Sequence, residues 1–227
     1  TTVVHVTPSY ALHIHSKLQE CGVSLSDLKL RKAYLGAEPY SENTRKKIED
    51  LFKIDAYNLY GMSEMNGPGV AFECLYKCGM HFWEDSYIIE VIDPKTGKIL
   101  SDGEEGELVL TNITRRATPL MRYRSRDIAG ILPGPCKCNR SHRRISRIMG
   151  RTDDMLIING VNVYPSQIEA VVMRIPEVGT NYQVCLEKDG TLDKLVVKVE
   201  IYSKLFSGAI SQIDDNRSSQ FVFYPML

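Results

Sequence analysis

The sequence predicts an α/β fold: a parallel sheet with crossover helices plus a β-rich subdomain, followed by a small α+β C-terminal lid domain. Three observations support this prediction. Strand-like and helix-like segments alternate at the start of the chain, the middle contains apolar strands separated by turn-forming residues, and a turn at Gly150 precedes a hairpin and a short helix. We therefore predict two domains, residues 1–149 and 150–227.

The N-terminal part is predicted to alternate strands and helices. Thr7 is a helix N-cap before Pro8 at the first helical position, and Ser41 caps a second, charged amphipathic helix. The predicted elements are a strand at 3–6, a helix from Pro8 to about Cys21, a strand at 31–35, a helix from Ser41 through Phe52 and a strand at 54–59. This order is typical of a parallel sheet with crossover helices.

From about residue 70 the pattern changes to β structure. The predicted strands are 87–92, 107–111, 121–124 and 128–132. The loop between the first two is dense in turn formers, D-P-K-T-G-K and S-D-G-E-E-G. We expect a β-rich subdomain or a small barrel.

The stretch from Gly150 to Ile168 is predicted to be a hinge followed by a hairpin and a helix. It contains a turn at 150–154, strands at 155–159 and 161–164 around Gly160, and a helix from Pro165 to 175. Strands at 182–187 and 195–201 complete the lid domain, and residues 203–227 receive no assignment. From spacing alone, a surface meander within one domain explains the stretch equally well.

Composition is ordinary for a soluble globular chain, with 43% hydrophobic and 25% charged residues. The net charge is zero, and the ten arginines between Arg115 and Arg151 lack the interleaved aromatic residues of a nucleic-acid platform. No apolar run is long enough for a membrane span, and the start lacks the features of a signal peptide. We expect a cytoplasmic protein, with thiols or metal ligands among its six cysteines and with no nucleic-acid or membrane partner.

Two loops lie just past the carboxyl ends of adjacent predicted parallel strands, where open α/β sheets bind ligands. The first, Gly36-Ala37-Glu38-Pro39, has small residues that let the backbone approach a flat ligand. In the second, Gly61-Met62-Ser63-Glu64, a carboxylate can hold a hard cation beside a triphosphate while Ser63 offers a hydroxyl to the phosphates. An ordinary strand-to-helix turn and a solvated loop acid are the alternatives.

Three charged residues further along are candidates for nucleotide binding. Asp127 ends the arginine-rich stretch R-Y-R-S-R-D, and its carboxylate can accept hydrogen bonds from both ribose hydroxyls. Arg151 provides a planar cation for phosphate or ribose oxygens, and Asp153 follows it in the hinge. The alternatives are an internal salt bridge for Asp127 and a capped turn for the other two.

The cysteines and histidines in the middle of the chain suggest a structural zinc site, because thiolates and imidazoles suit Zn²⁺. The candidate ligands are Cys74, Cys78, His81, Cys136, Cys138 and His142. Our preferred set is Cys74, His81, Cys136 and Cys138. The C-x-C spacing is tighter than the common one, so reduced thiols scattered in a loop remain the alternative.

Five motifs occur in a characteristic order: L-G-A-E-P (35–39), Y-G-M-S-E (60–64), G-E-L-V-L-T (106–111), R-Y-R-S-R-D (122–127) and G-R-T-D-D-M-L-I-I-N-G-V-N-V-Y-P-S-Q-I-E (150–169). Together they resemble the adenylate-forming superfamily, the acyl-CoA synthetases and their relatives, over roughly residues 1–202. The last motif resembles the aryl-acid branch, the phenylacetate-CoA ligases.

The resemblance implies roles for individual residues. Tyr60, followed by Gly61, would stack on adenine, Ser63 would contact phosphate, and Glu64 would bind Mg²⁺. Asp127 would hold the ribose, and the loop from Gly36 to Pro39 would lie against the adenine and the acyl pocket. Ser125-Arg126 stand where many members have Thr-Gly, although the aryl-acid branch often has Arg before the Asp.

The resemblance also implies that the small domain moves between the two steps of the reaction. Asp153 stands at the family's hinge, about which the small domain rotates between adenylation and thioester formation. With Glu64 and Ser63, Arg151 would belong to the catalytic set. The implied cofactors are ATP or AMP, Mg²⁺ and coenzyme A.

The implied activity is ATP-dependent activation of phenylacetate or a related aryl acid to an acyl-adenylate, followed by transfer to coenzyme A. We find neither the family's Gly-rich phosphate loop nor its catalytic lysine, since Lys204 is in a different context, and we expect an inactive fragment of a ligase. Two alternatives stay open: a non-catalytic nucleotide-binding or zinc-stabilised module, and a relative that adenylylates a deazaflavin cofactor. A homodimer is one option for the assembly.

Overall fold

The computed structural model describes residues 2–159, 161–175, 178–189 and 192–201. The elements in chain order are β1 (Val3–Val6), α1 (Pro8–Glu20), β2 (Lys32–Leu35), α2 (Glu42–Phe52), β3 (Asp55–Met62), β4 (Gly67–Glu73), β5 (Met80–Phe82), β6 (Tyr87–Ile92), β7 (Glu105–Asn112), β8 (Tyr123–Leu132), β9 (Arg144–Ile145), β10 (Gly150–Arg151), β11 (Leu156–Ile158), β12 (Val161–Val163), α3 (Pro165–Val172), β13 (Val178–Asp189) and β14 (Leu192–Ile201). The predicted α/β class is confirmed.

The main sheet begins parallel and becomes antiparallel. β1, β2 and β3 run parallel in that order, joined by the crossover helices α1 and α2. The path then continues through β4, β5, β9, β8, β7 and β6, with β10 added to β8. The predicted β-rich region is confirmed, and of its two predicted forms the small barrel is not seen among the described strands, because the β-rich part extends the parallel sheet along an open path.

Both crossover helices begin where the sequence predicts. The Thr7 hydroxyl accepts a hydrogen bond from the Tyr10 N–H before α1, and Ser41 does the same for the Thr44 N–H before α2. The buried faces of both helices pack on the parallel strands around Leu35 and Ile48. A second core, containing Phe82 and Leu108, fills the antiparallel part. The parallel part and the antiparallel part of the sheet therefore each have a core of their own.

Several predicted boundaries need correction. β3 continues to Met62, three residues beyond the prediction, because the missed strand β4 pairs with its far end, Met62 opposite Gly67. The two strands predicted at 121–124 and 128–132 are one strand, β8, with a bulge between them. The last helix ends at Val172 instead of 175.

The C-terminal elements form a small unit of their own. β11 pairs with β12, and β13 pairs with β14 as a long antiparallel hairpin that contains the two predicted strands. A small core of Val172, Val178 and Val199 joins α3 to that hairpin. Gly160, the unassigned tail 203–227 and Lys204 lie outside the described residues. Among the described helices, none has the length and apolar character needed to cross a bilayer.

A buried acid joins this unit to the rest of the molecule. Glu169 of α3 is only 5% exposed, and its carboxylate accepts hydrogen bonds from the Ser41 N–H, at 2.8 Å, and from the Thr44 hydroxyl. The Asn43 side chain donates to the Ala170 carbonyl at 3.0 Å. Because Glu169 reaches the N-terminus of α2, where a negative charge is favoured, it docks α3 in a defined place.

Candidate functional site

A cavity of about 510 Å³ opens where the carboxyl ends of β2 and β3 face β8. Its walls are residues 37–40 after β2, residues 58–62 and 64 at the end of β3, residues 123–127 of β8, and Arg147, Ile148 and Arg151. The structure therefore brings most of the predicted nucleotide-binding residues to one place. Ser63 and Gly36 are not part of the wall.

The loop after β2 is pressed against β3. A Cβ at Gly36 would lie 2.5 Å from the Leu59 carbonyl oxygen, and Ala37 adopts a left-handed backbone conformation with φ 68°. Gly36 is thus needed for packing, whereas Ala37 and Pro39 form the wall. The Glu38 carboxylate accepts hydrogen bonds from the Ser9 N–H and hydroxyl, which fixes the loop to the start of α1.

The end of β3 presents an aromatic residue and a carboxylate. Tyr60 is buried, and its hydroxyl donates to Asp127 Oδ2 at 2.7 Å. Gly61 must be glycine here, because a Cβ would lie 2.6 Å from the Gly67 carbonyl oxygen. A 3-10 turn, Ser63–Met65, follows the strand and leaves Glu64 exposed at the cavity, with its carbonyl held by Arg115 at 2.6 Å.

A bulge in β8 directs Asp127 into the cavity. The register against β7 shifts between Glu107 and Val109, and Arg126 takes the left-handed conformation with φ 71°. Ser125 holds the bulge: its hydroxyl donates to the Leu108 carbonyl at 3.0 Å and accepts from the Asp127 N–H at 3.1 Å. The extra residues turn the Asp127 carboxylate toward Tyr60.

Arg151 pairs with three carboxylates, those of Asp127, Asp153 and, at 3.8 Å, Asp154. Its Nη1 is 3.4 Å from Asp127 Oδ1, and its Nε and Nη2 donate to Asp153 at 2.9 and 2.8 Å. β10 places it there by pairing Arg151 directly with Asp127. The hinge residue predicted from the motif therefore has the same arginine partner as the ribose candidate.

The pKa values of these groups move in different directions. Burial raises the pKa of Asp127 above its ordinary value, even though the Tyr60 hydroxyl and Arg151 stabilise the carboxylate. Burial and the Asp127 charge raise the pKa of Tyr60 well above its ordinary value. By contrast, the hydrogen bonds from Arg151 lower the pKa of the exposed Asp153. The buried Asp127 carboxylate of the cavity is therefore costly to ionise, whereas Asp153, outside the cavity wall, is not.

The predicted metal-ligand set converges at a second place, outside the cavity. Cys74 follows β4, His81 lies in β5, and Cys136 and Cys138 belong to the loop between β8 and β9. Their Sγ and ring nitrogen atoms all lie within 4.8 Å of one another. The set is drawn together because β5 pairs with β9, which brings the two loops side by side.

The two other candidate ligands have different places. The His142 carbonyl oxygen lies 2.8 Å from His81 Nδ1, and its ring accepts from the Glu84 N–H instead of pointing at the cluster. Cys78 Sγ is 3.6 Å from Cys136 Sγ but is exposed, and Arg144 Nη1 donates to it at 3.1 Å. His142 and Cys78 therefore lie next to the four donors but do not belong to the set.

Thiols in the cluster differ in how easily they ionise. Burial opposes ionisation of Cys136, but the Cys138 N–H and the neighbouring His81 lower its pKa to about 6. Burial raises the pKa of Cys74 to about 11. Of these two thiols, Cys136 therefore ionises more readily.

Residues 1–114, half of the chain, match the family model of the AMP-binding enzymes, and residues 160–220 match the model of the AMP-binding enzyme C-terminal domain. The chain belongs to the AMP-binding enzyme family. Among relatives in this family, a phenylacetate-coenzyme A ligase of Thermus thermophilus is 46% identical over 205 residues, which are 90% of this chain and 46% of the relative. The chain thus spans about half the length of the relatives it matches.

Solved AMP-binding enzyme structures add the arrangement of the parts. A 2-hydroxyisobutyryl-CoA ligase in the postadenylation state, in complex with R3-HIB-AMP, superposes with a TM-score of 0.85 at 26% identity, covering 92% of this chain and 45% of that one. The same ligase in the thioesterification state, with 2-HIB-AMP and CoA, gives a TM-score of 0.64 at 26% identity, covering 90% of this chain and 44% of that one. The arrangement in this chain is therefore closer to the postadenylation one.

Sequence reasoning overlooked some residues of the cavity. Tyr40, buried under the Arg147 guanidinium at 4.8 Å, has a hydroxyl with no partner among the described residues. Arg147 also donates to Glu42 and to the Tyr40 carbonyl. Neither residue lies in a motif, so only the fold brings them to the wall. Arg126 does lie in a motif, and its position where many family members have glycine was the available signal.

Proposed function

We propose that this protein activates an aryl acid, such as phenylacetate, with ATP to form an acyl-adenylate and then transfers the acyl group to coenzyme A. The observation that carries the proposal is the meeting of Tyr60, Asp127 and Arg151 in one cavity at the carboxyl ends of parallel strands. The 46% identity to a relative named a phenylacetate-coenzyme A ligase supports the choice of acid.

In the proposed reaction, a carboxylate oxygen of the acid attacks the α-phosphorus of ATP, and pyrophosphate leaves. The thiol sulfur of coenzyme A then attacks the acyl carbon, and AMP leaves. Asp127 accepts hydrogen bonds from the ribose hydroxyls, and Oδ1, whose Arg151 contact is long at 3.4 Å, has room for them. Tyr60 stacks on the adenine, and Arg151 contacts the phosphate or ribose oxygens.

We assign Mg²⁺ binding to Glu64. The ion usually takes one or two protein carboxylates together with phosphate oxygens, and Glu64 is an exposed carboxylate at the cavity with no ion pair within 4 Å among the described residues. When bound, the ion would neutralise charge on the phosphates. The residues present therefore fit the ion, while Ser63 stands beside the cavity wall as a phosphate contact.

We further propose that the chain divides near Gly150 and that Asp153 belongs to the hinge. The β10 pairing and the Arg151 contacts of Asp153 lie at the junction, and they break most easily because each involves few residues. The lower TM-score against the thioesterification state is in line with a rotation here. We also propose that the protein is cytoplasmic, since its six cysteines, all in the described part of the chain, form no disulfide.

A structural zinc ion at Cys74, His81, Cys136 and Cys138 is the third part of the proposal. Ligands about 2.3 Å from a tetrahedral zinc lie about 3.7 Å apart, and the Cys74 and Cys136 sulfurs are 3.7 Å apart. His81 donates from Nδ1 to the His142 carbonyl, which leaves Nε2, 3.2 Å from Cys138 Sγ, as the ligand atom.

The surroundings of the cluster agree with a net negative metal site. Three thiolates and one imidazole around Zn²⁺ carry one negative charge. The buried Arg144 guanidinium contacts Cys78 and the carbonyls of Gly134 and Pro135, and has no carboxylate partner among the described residues. Arg144 therefore links both loops and offsets that charge.

The test of the activity has two arms. Calorimetric titration should show that the 227-residue chain binds AMP and adenosine, and the product of the complete gene should release AMP only when ATP, Mg²⁺, an aryl acid and coenzyme A are all present. Octanoate in place of phenylacetate should give much less AMP. Glu64→Gln should slow acid-dependent pyrophosphate exchange by ~10²-fold, because it removes an electrostatic contact to the reacting phosphates. AMP release that does not depend on any acid would contradict the proposal.

Zinc is tested by metal analysis. Purified protein should contain about one Zn²⁺ per chain, and a chelator should lower its melting temperature. Metal-free protein whose melting temperature is the same with and without chelator would reject the zinc site and leave the proposed activity untouched.

A further inference from the structure

Arg126 has an unfavourable backbone conformation, and the fold does not need an arginine side chain at this position. Its φ of 71° lies in the left-handed region, which costs free energy for any residue with a Cβ and suits glycine. The bulge is held by other groups: the Thr152 N–H donates to the Arg126 carbonyl at 2.8 Å, and the Ser125 hydroxyl donates to the Leu108 carbonyl of β7 and accepts from the Asp127 N–H of its own strand. Glycine would therefore serve the backbone better than arginine does.

The Arg126 guanidinium also differs from the other arginines of the cavity. Arg124 pairs with the fully buried Glu107, Arg147 pairs with Glu42, and Arg151 pairs with three aspartates. For Arg126 no hydrogen bond or ion pair of the side chain is present among the described residues, although it is close enough to Asp153 to help lower the pKa of that carboxyl. One cation at the cavity is thus exposed and uncommitted.

We propose that Arg126 is a phosphate-binding residue of this cavity. Asp127, the next residue along the chain, is the proposed ribose ligand, so the Arg126 guanidinium is placed to contact a phosphate group attached to that ribose. Guanidinium is suited to this, since its planar fork donates two hydrogen bonds to phosphate oxygens. The inference rests on the proposed nucleotide site, and the same chemistry could be met by a phosphate of coenzyme A.

The chain offers a matched control. Arg122 is also exposed, also has a positive φ, 48°, and lies just before the same strand, but it pairs with Glu90 at 3.0 Å and is not part of the cavity wall. Arg122→Gly and Arg126→Gly remove the same charge and the same kind of backbone strain. Only the second removes the proposed phosphate contact.

The experiment measures dissociation constants of AMP, adenosine, coenzyme A and dephospho-coenzyme A by calorimetry for the wild-type chain and for Arg126→Gly, Arg126→Lys and Arg122→Gly. We expect Arg126→Gly to weaken AMP binding by about tenfold or more, in line with one charge-assisted hydrogen bond, and to leave adenosine binding unchanged. Arg126→Lys should recover part of the loss, and Arg122→Gly should change neither ligand. The melting temperature of Arg126→Gly should equal or exceed that of wild type.

Each outcome has a distinct meaning. Loss of coenzyme A binding with AMP binding intact would identify the phosphate as that of coenzyme A, and dephospho-coenzyme A would show which phosphate it is. Unchanged affinity for both AMP and coenzyme A would overturn the inference, and so would an equal loss of AMP and adenosine, which indicates a role in cavity shape. A wild-type chain that binds neither adenosine nor AMP would refute the proposed nucleotide site itself, and the inference with it.

Discussion

The cavity and the Cys/His cluster are both built where loops of the same sheet meet, but their charged groups are arranged in opposite ways. In the cluster, four donors point at one centre and lie within 4.8 Å of one another. In the cavity, a cation and a carboxylate pair within the wall, beside an open space of about 510 Å³. A closed donor set retains one ion as part of the fold, whereas an open one can exchange its internal pairs for those of a ligand.

The largest expected effect follows from breaking the closed set. Cys136→Ser removes one of four candidate donors, and the zinc proposed to link the β4–β5 and β8–β9 loops should be lost. Loss of a structural zinc costs several kcal/mol of folding free energy, so we expect the melting temperature to fall by ~10 °C or more. Thermal unfolding with metal analysis of the same sample measures both.

Cys185→Ser is the matched control, because Cys185 is a half-buried free thiol in β13 outside the cluster. It should keep its zinc and its melting temperature. If Cys136→Ser melts within about 2 °C of that control while its zinc is gone, the cluster does not stabilise the fold, and the contrast between closed and open sites does not hold.

Removing the charge of Asp127 in the cavity wall should change ligand affinity much more than stability. Asp127→Asn keeps the shape but removes the charge that Tyr60 and Arg151 share. We expect adenosine and AMP to bind about 10- to 100-fold more weakly, because hydrogen bonds from the ribose to a charged acceptor are lost. The melting temperature should change little, since burial already penalises this carboxylate.

Tyr60→Phe sharpens the measurement, since it removes only the hydroxyl that donates to Asp127 and keeps the ring. Stacking on adenine should survive, so its loss of affinity should be clearly smaller than that of Asp127→Asn. An Asp127→Asn protein that binds adenosine as tightly as wild type would show that the carboxylate does not hold the ribose.

The sequence predicted which residues suit each site better than it predicted where those residues lie in the structure. Four candidate metal ligands that converge in the structure could be chosen from loops some 60 positions apart, because few side chains other than cysteine and histidine bind zinc in this way. Ser63 and Gly36 could not be excluded from the cavity, because that depended on where β3 ends, and its partner strand β4, G-P-G-V-A-F-E, lacks a clear alternating pattern. Arg126 could be noticed from its place in a motif, but its left-handed backbone conformation and its side chain, unpaired among the described residues, became visible only in the structure.

A smaller effect is expected where the C-terminal unit meets α2. Glu169→Gln keeps one acceptor for the Ser41 N–H but removes the buried charge at the helix N-terminus. We expect a loss of about 1 kcal/mol in the free energy of unfolding, with faster hydrogen exchange in residues 165–175. Exchange measured by mass spectrometry reports the two regions separately.

Glu187→Gln, an exposed acid of the β13–β14 hairpin, serves as the control for that charge change. It should leave exchange in α3 as it is in wild type. Equal exchange in wild type and Glu169→Gln would mean that Glu169 does not dock the unit.

The smallest expected effect concerns Asp127 and Asp153, which both contact Arg151. It tests the contrast between a buried and an exposed carboxylate. Burial raises the pKa of Asp127, whereas the hydrogen bonds of Arg151 lower that of the exposed Asp153. Asp127 therefore binds its proton more tightly in the folded state; its stabilising contribution is present below the unfolded pKa and is lost as the pH rises through the folded pKa. Asp153 has the opposite sign: its contribution is present above the unfolded pKa and is lost as the pH falls through the folded pKa.

Carboxyl-carbon NMR titration should find the pKa of Asp127 above that of an ordinary aspartate, near 3.9, and the pKa of Asp153 below it. In Arg151→Gln both pKa values should rise, Asp153 toward its ordinary value and Asp127 further from it, because both lose the same cation. Two carboxyls that titrate on the same side in the wild-type chain would mean that burial does not separate them, and that the cavity is as well solvated as the surface around it.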